Sequence, residues 1–379
     1  MNTYSEHIEQ IENIDTVVIG AGQAGLSVGH YLAGRGRPFV ILDDQARIGD
    51  TWRHHWDSLR LFTPARVNRL PGMRFPAPGS SFPTKDQMAD YLGAYAARFD
   101  LPVRGGVQVR RLDREGDGFV VVTDGGRIRA ANVVVSTGAF GRTPQVPDAA
   151  QELDPAIRQL HSSEYQRPGQ LRRGAVLVVG AGHSGADIAL ETAATHDTVL
   201  SGPIHGEVPI RIEGRAARVI FPLWYRLVTH LLTLRTPLGR KARDRLRGHG
   251  APLLRVRRRD LAGAGVEMTA AKVVGAQDGK PLLEDGRVLD VANVVWCTGF
   301  RQDFGWINLP VVDADGRPEH TRGVVESCPG LYFSGLAFQY GLTSMTVGGA
   351  GRDARYVARQ IQKRSPAEGD TRKEQLAAA

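Results

Sequence analysis

Apolar and polar positions along the chain fall into the same order twice. From Asp15 a short β-branched run (Thr16 to Ile19) meets Gly20-Ala21-Gly22-Gln23-Ala24-Gly25, and apolar positions at helical spacing then carry on to Leu32. From Ala175 to Ala193 the pattern repeats: a β-branched run, then Gly180-Ala181-Gly182-His183-Ser184-Gly185, then an amphipathic helix. Each copy has a second apolar run downstream. Ala131 to Gly138 reads ANVVVSTG and Ala292 to Gly299 reads ANVVWCTG, and the two intervals, Gly20 to Gly138 and Gly180 to Gly299, differ by one position. One glycine motif is common by chance, whereas two with matched partners at matched distance are not. The pattern predicts an α/β protein of two Rossmann-like, doubly wound nucleotide-binding units.

The glycines have a mechanical purpose. The strand turns sharply into the helix at Gly20, bare backbone at Gly22 lets a pyrophosphate approach, and Gly25 allows the helix to pack against the strand. Phosphates then face the unpaired N–H groups of the first helical turn, at Gln23 and Ala24. The next strand, Pro38 to Leu42, ends at Asp43, about 20 positions beyond the glycines, where a carboxylate accepts from ribose hydroxyls. A turn-capping role for Asp43 is the plain alternative. In the second unit the corresponding strand ends at Ser201-Gly202. No carboxylate stands there to repel a 2′-phosphate, Ser201 offers it a hydroxyl, and Arg211 and Arg215 follow. NADPH is therefore expected over NADH.

Composition narrows the field only in places. The 379 residues are 42% hydrophobic and 23% charged, ordinary for a globular protein of two to three domains' length. Met1 to Asp15 lacks an apolar signal segment, and no run approaches the roughly 18 apolar residues of a spanning helix. Two cysteines, Cys297 and Cys328, exclude a disulfide framework and suit a reducing cytoplasm. The formal charge is +8, and nine basic residues lie between Arg240 and Arg259. Their plain reading is a solvated arginine-rich face; attraction of an anionic cofactor or a membrane surface is the sharper one. Without interleaved aromatics, nucleic-acid binding is not expected.

These residues resemble the flavin-containing monooxygenase family, particularly its YUCCA-like branch and bacterial relatives, from about Asp15 to Ile361. Ile48-Gly49-Asp50-Thr51-Trp52 resembles the family's G-G-x-W element beside the flavin. Trp56 to Leu61 and Phe82 to Gln87 match the segments that follow it in that branch. Gly180 to Gly185 matches the G-x-G-x-S-G nicotinamide site. Gly330 to Gly335, leading to a helix near Thr343, resembles the closing FAD segment. The fingerprint F-x-G-x-x-x-H-x-x-x-(Y/F)-(K/R) is kept at His161 and Tyr165, but Pro155 and Ile157 replace its Phe and Gly, and Arg167 falls one place late. Tyr165 also stands where the Baeyer–Villiger fingerprint has Trp. His161 is expected to serve as a linker or hinge residue. Phe62 takes the place of the asparagine that touches the flavin edge in mammalian-type members.

The resemblance implies a split FAD domain at residues 1–150 and 300–379. An NADPH domain is inserted at 151–299 with a helical apolar segment near 216–260; the polar, alanine-rich composition of residues 365–379 predicts a disordered tail. The resemblance places Gly20, Gly22, Gln23, Ala24, Gly25, Asp43, Trp52, Thr63, Val109, Thr137, Gly138, Gly335 and Thr343 at FAD. It places Gly180, Gly182, His183, Ser184, Gly185, Ser201, Thr298 and Gly299 at NADPH. The implied reaction inserts one atom of O2 into a small, hydrophobic organic substrate through a C4a-(hydro)peroxyflavin. Because the flavin carries the chemistry, no catalytic acid or base is named, and no metal set is visible. An electron-passing flavin reductase or oxidase and a non-enzymatic flavin-binding sensor are the alternatives. A disulfide reductase lacks its cysteine pair here. The apolar stretch Val219 to Leu234 predicts a core helix, with a substrate-channel wall or a homo-oligomer contact as the other options.

Overall fold

The computed structural model describes residues 11–208, 212, 214, 217–249 and 252–364, with backbone only at 217–219 and 246–249. Arg211, Arg215 and the 365–379 segment lie outside the described residues.

The first unit opens with β1 (Ile11–Ile19), α1 (Gln23–Ala33) and β2 (Phe39–Leu42). Next come the short α2 (Asp50–Arg53), then α3 (Lys85–Arg98), β3 (Val103–Arg104), β4 (Val109–Glu115), β5 (Gly118–Thr123) and β6 (Gly126–Val135). Helix α3 starts on a capping box between Thr84 and Gln87, which satisfies two of its otherwise unpaired amide groups. Strands run in the order β3-β2-β1-β6-β5-β4. The first four are parallel, with Thr16 to Ile19 in register with Phe39 to Leu42, while β5 and β4 fold back antiparallel onto β6. Val17, Val18, Val133 and Val134 are fully buried, as expected of central parallel strands covered on both faces.

After β7 (Thr143–Pro144), the chain builds β8 (Arg158–His161), β9 (Val176–Val179), α4 (His183–Thr192) and β10 (Thr198–Ser201). Three helices follow, α5 (Ala217–Leu231), α6 (Pro237–His249) and α7 (Arg258–Gly263). The strands β11 (Glu267–Thr269), β12 (Val273–Gln277), β13 (Lys280–Leu283) and β14 (Asn293–Trp296) complete this half. Its parallel sheet has the order β11-β10-β9-β14-β8. Strand β15 (Phe300–Arg301) then pairs antiparallel with β7, so the outgoing and returning chains cross between the sheets side by side. Finally β16 (Leu331–Phe333) joins the first sheet alongside β6, and α8 (Val347–Arg364) packs on α1 through Ala354, Val357, Ala358 and Ile361.

The apolar stretch after Val219 does form a helix, α5, but its rhythm does not point into a core. Phe221 and Val228 are buried. Leu223, Leu227 and Leu231, which carry the periodicity from Val219, are exposed, as is Ile220 beside them, with Leu223 at 73%. Periodicity reports an apolar stripe, and only packing decides whether anything covers it. The buried face of α5 lies on the closing segment of the first unit. The hydroxyls of Tyr225 and Thr346 are 3.1 Å apart, and Arg352 donates to the carbonyl of Thr229.

Candidate dinucleotide sites

Both glycine turns stand at the carboxyl ends of parallel strands, the edge where doubly wound sheets bind ligands. They are alike in detail. Gly20 has φ +107° and Gly180 φ +104°, values that an L side chain rarely adopts. The amide of Gly20 donates to Leu42 O at 2.6 Å, and that of Gly180 to Ser201 O at 2.8 Å. A Cβ on Gly25 would run into Gly20 O, and one on Gly185 into Gly180 O. These glycines are thus fixed by backbone packing.

Gly22 and Gly182 differ from them. They are the N-caps of α1 and α4, and a Cβ on either meets nothing within 4 Å. No side chain caps either helix, which leaves the first-turn amides, including those at Gln23, Ala24, His183 and Ser184, without a capping side chain at the positive ends of their helix dipoles. Gly138 and Gly299, with φ of +101° and +85°, open the neighbouring wall in the same way, beside Thr137 and Thr298. Open backbone and uncapped helix ends are what two pyrophosphates require.

Around the first turn, Asp43 accepts a 2.5 Å hydrogen bond from the amide of Ala21 and another from Gln45 at 2.9 Å. Its capping role is real, and each carboxylate oxygen keeps a further lone pair for ribose. The amide of Val107 donates to Asp43 O. Val107 therefore stands at the strand end, and Val109 sits two residues on, paired with Thr123 inside β4. Of the two, it is Val107 that the backbone brings to the end of β2, because β4 starts beyond the loop that reaches Asp43.

Trp52 lies in α2, half-buried against the first core. This helix is set by Gly49 at φ +89°, where a Cβ would come within 2.6 Å of Ala89 O. Gly335 approaches α1 so closely that a Cβ on it would stand 2.7 Å from that of Ala24. Gln339, fully buried, holds this loop by accepting from the amides of Gly335 and Leu336. The Thr343 region begins as a 3-10 turn (Leu342–Met345), and the α-helix itself starts at Val347. The hydroxyls of Thr343 and Ser136 are buried with no protein partner. Buried polar atoms without partners are rare, so these two fit a bound polar group. Thr63 does not point outward: it is buried and donates to Asn68 Oδ1 at 2.6 Å.

Ser201 departs from expectation in the same way. It is fully buried and its hydroxyl donates to Ala271 O at 2.7 Å, so it is not turned toward a 2′-phosphate. Strand β10 sits between β9 and β11, and side-chain alternation puts Ser201 on an inner face. The fold supplies a cation there instead. Arg258, at the start of α7, donates to Ile204 O just beyond β10 at 3.2 Å. It is more than fifty residues from the strand end, so no local pattern points to it. The basic run is not wholly solvated either, since Arg255 pairs with Asp187 at 2.9 Å with both side chains largely covered.

The fingerprint residues act as fasteners. His161 is 3% exposed; its Nε2 donates to Gly299 O at 3.1 Å and its Nδ1 accepts from Ser163. Desolvation holds its pKa below the ordinary histidine value, opposed by the bond to Gly299 and by Glu164. Tyr165 donates to Glu191 of α4 at 2.9 Å, and burial, then Glu191, pushes its pKa up. Across the two halves, the amide of Asp57 donates to Gln166 O, and Phe62 places its ring 5.5 Å from His183 at the start of α4. Cys297 follows β14 of the second sheet and Cys328 lies in the turn before β16 of the first, and burial raises the Cys297 thiol. A hollow of about 460 Å³ beside Asp15, Glu115 and Arg364 is at the opposite ends of the strands from the turns.

The family described as pyridine nucleotide-disulphide oxidoreductase matches residues 17–201, from β1 to the end of β10. A CzcO-like oxidoreductase of Geobacillus kaustophilus is 39% identical over 353 residues, covering 92% of this chain and 98% of the relative. The indole-3-pyruvate monooxygenase YUCCA1 of Oryza sativa is 37% identical over 179 residues, 46% of this chain and 44% of that one. Among solved structures, the flavin-containing monooxygenase from Stenotrophomonas maltophilia superposes with a TM-score of 0.70 at 28% identity, over 93% of this chain and 99% of that chain.

Proposed function

Because this chain belongs to the flavin-containing monooxygenase family, together with its YUCCA and CzcO-like members, we propose that it is an FAD- and NADPH-dependent monooxygenase. It places one atom of O2 into a small, apolar organic substrate. Its class, flavin-dependent oxidoreductase, follows from the family, as do FAD and NADP as cofactors. The observation that carries the reading is the pair of uncapped glycine turns, with Phe62 of one unit against His183 of the other.

The residues fit both groups. The amides of Gly22, Gln23 and Ala24 would hold the FAD pyrophosphate and Asp43 its ribose. Trp52, Thr137, Gly138, Gly335 and the Thr343 turn would surround the remainder. Gly182, His183, Ser184, Thr298 and Gly299 would hold the nicotinamide dinucleotide, with Arg258 at its 2′-phosphate. Bound flavin would supply the redox chemistry, hydride acceptance from NADPH and activation of O2. The chain's own contribution is orientation and exclusion of water. Phe62 and the inner face of α5, including Phe221 and Tyr225, are apolar walls suited to that exclusion. No side chain is assigned as acid or base. Two cysteines far apart in the fold, Cys297 partly buried and Cys328 buried, support this reading over disulfide reduction and are consistent with a reducing cytoplasm.

The test is an electron balance. NADPH oxidised in air is compared with oxygenated product and with hydrogen peroxide across amines, sulfides, ketones and keto acids. Product matching NADPH supports oxygenation. Peroxide alone, with every substrate, would replace it with an electron-passing oxidase.

A further inference from the structure

We propose that α5 and α6 form a docking face for an anionic membrane surface, on which the protein lies without spanning it. Ile220, Leu223, Leu227, Leu231 and Leu238 are all exposed, Leu223, Leu227 and Leu238 by more than half. The first four recur at three- and four-residue spacing along α5 and so share one side of it. The remaining exposed large apolar residues in the described structure are scattered over other elements. A contiguous apolar strip on the outside of a protein marks something that covers it.

Charge decides what that is. From Ile220 to Arg245 the chain has six Lys or Arg residues (226, 235, 240, 241, 243 and 245) and one acid, Asp244. Arg226, Arg235, Arg240, Lys241 and Arg245 are exposed. A second copy seated on this face about a twofold axis would set one cationic face against another, with one carboxylate on each side to offset them. An apolar ligand site would be concave, whereas these residues stand on the outer sides of two helices. An exposed apolar strip on a segment that also exposes five Lys or Arg and contains one acid is the composition that settles at the boundary between anionic headgroups and acyl chains. No helix among the described residues is long and apolar enough to cross a membrane, so the contact is interfacial.

The inner face of α5 is held to the body by Tyr225–Thr346 and Arg352–Thr229. The helix can therefore bury its outer leucines in lipid without leaving the protein.

The test uses the full, FAD-loaded chain and needs no turnover, so it is read apart from the oxygenation proposal. The protein is sedimented with vesicles of phosphatidylcholine alone and of phosphatidylcholine mixed with phosphatidylglycerol. Binding is expected to the mixed vesicles, with loss as salt is raised. Leu223→Glu/Leu227→Glu should lower the bound fraction about tenfold, as should Arg240→Glu/Lys241→Glu. Both pairs of positions are exposed, and flavin content and thermal midpoint should stay at native values. No binding to mixed vesicles overturns the proposal, as does undiminished binding by both variants. A native dimer that Leu223→Glu/Leu227→Glu converts to monomer would overturn it too, by giving the face to a second copy.

Discussion

The carboxylate of Asp43, at the end of β2, accepts a 2.5 Å hydrogen bond from the backbone N–H of Ala21, inside the first glycine turn. One side chain thus fixes the shape of the turn and stands where a ribose would lie. Asp43→Ala should remove both functions and weaken FAD binding by about tenfold or more, equivalent to roughly 1.4 kcal/mol. Flavin fluorescence released on serial dilution measures this. Unchanged retention would mean the carboxylate serves the turn alone.

Two glycines three residues apart should fail in opposite ways. A Cβ at Gly22 meets nothing within 4 Å, so Gly22→Val should leave an apoprotein of near-native thermal midpoint that is colourless. A Cβ at Gly25 would overlap Gly20 O, so Gly25→Ala should destabilise the fold itself, by about 3 kcal/mol or more. Thermal melts paired with the visible spectrum separate the two. A folded Gly22→Val variant carrying full FAD would sink the assignment of this turn.

Coenzyme choice should depend on Arg258, whose guanidinium is bonded to Ile204 O beyond β10. Arg258→Ala is expected to reduce kcat/KM for NADPH about tenfold, the loss of one charge-assisted contact, and to leave that for NADH nearly unchanged. Ser201→Ala should not alter the ratio, because that hydroxyl is bound to Ala271 O. The opposite ranking of the two variants would restore Ser201 as the determinant.

Phe62 is 40% exposed and lies 5.5 Å from the ring of His183, closing the seam between the two turns. Phe62→Ala should admit water there and raise the share of NADPH electrons recovered as peroxide, while NADPH affinity changes little. Peroxide assays beside product yield report it. An unaltered share would remove Phe62 from the shielding wall.

Acid should destabilise the protein through His161. Burial lowers its folded pKa, so the neutral ring is the native form. Its contribution is complete above the unfolded histidine value near about 6.5. It is lost as pH falls below that value toward the folded pKa, where the unfolded chain binds the proton more readily. The thermal midpoint should therefore drop between neutral pH and mild acid, and His161→Asn should flatten that slope. His30 and His55, also lowered by desolvation, act in the same direction, so the slope should shrink rather than vanish.

The two strand–turn–helix units are legible in the residues alone, because each is written in a few consecutive positions. A β-branched run, a residue that must take positive φ at Gly20 or Gly180, and a helix that must approach its own strand at Gly25 or Gly185 are all local demands. The repeat of both units with their downstream runs carried the α/β architecture, and the fixed reach from glycine turn to next strand end located Asp43.

What the sequence left open was the direction of side chains and the company they keep. Ser201 and Thr63 bear the right atoms, yet sheet alternation and a neighbouring Asn68 turn them inward. Arg258 and Val107 gain their places from chain returning to a strand end, Arg258 from far along it. The apolar rhythm of α5 was legible, but periodicity holds no information on what covers a face. Only the packed structure showed that its leucines look outward, because burial is set by which surfaces meet after the two sheets have formed.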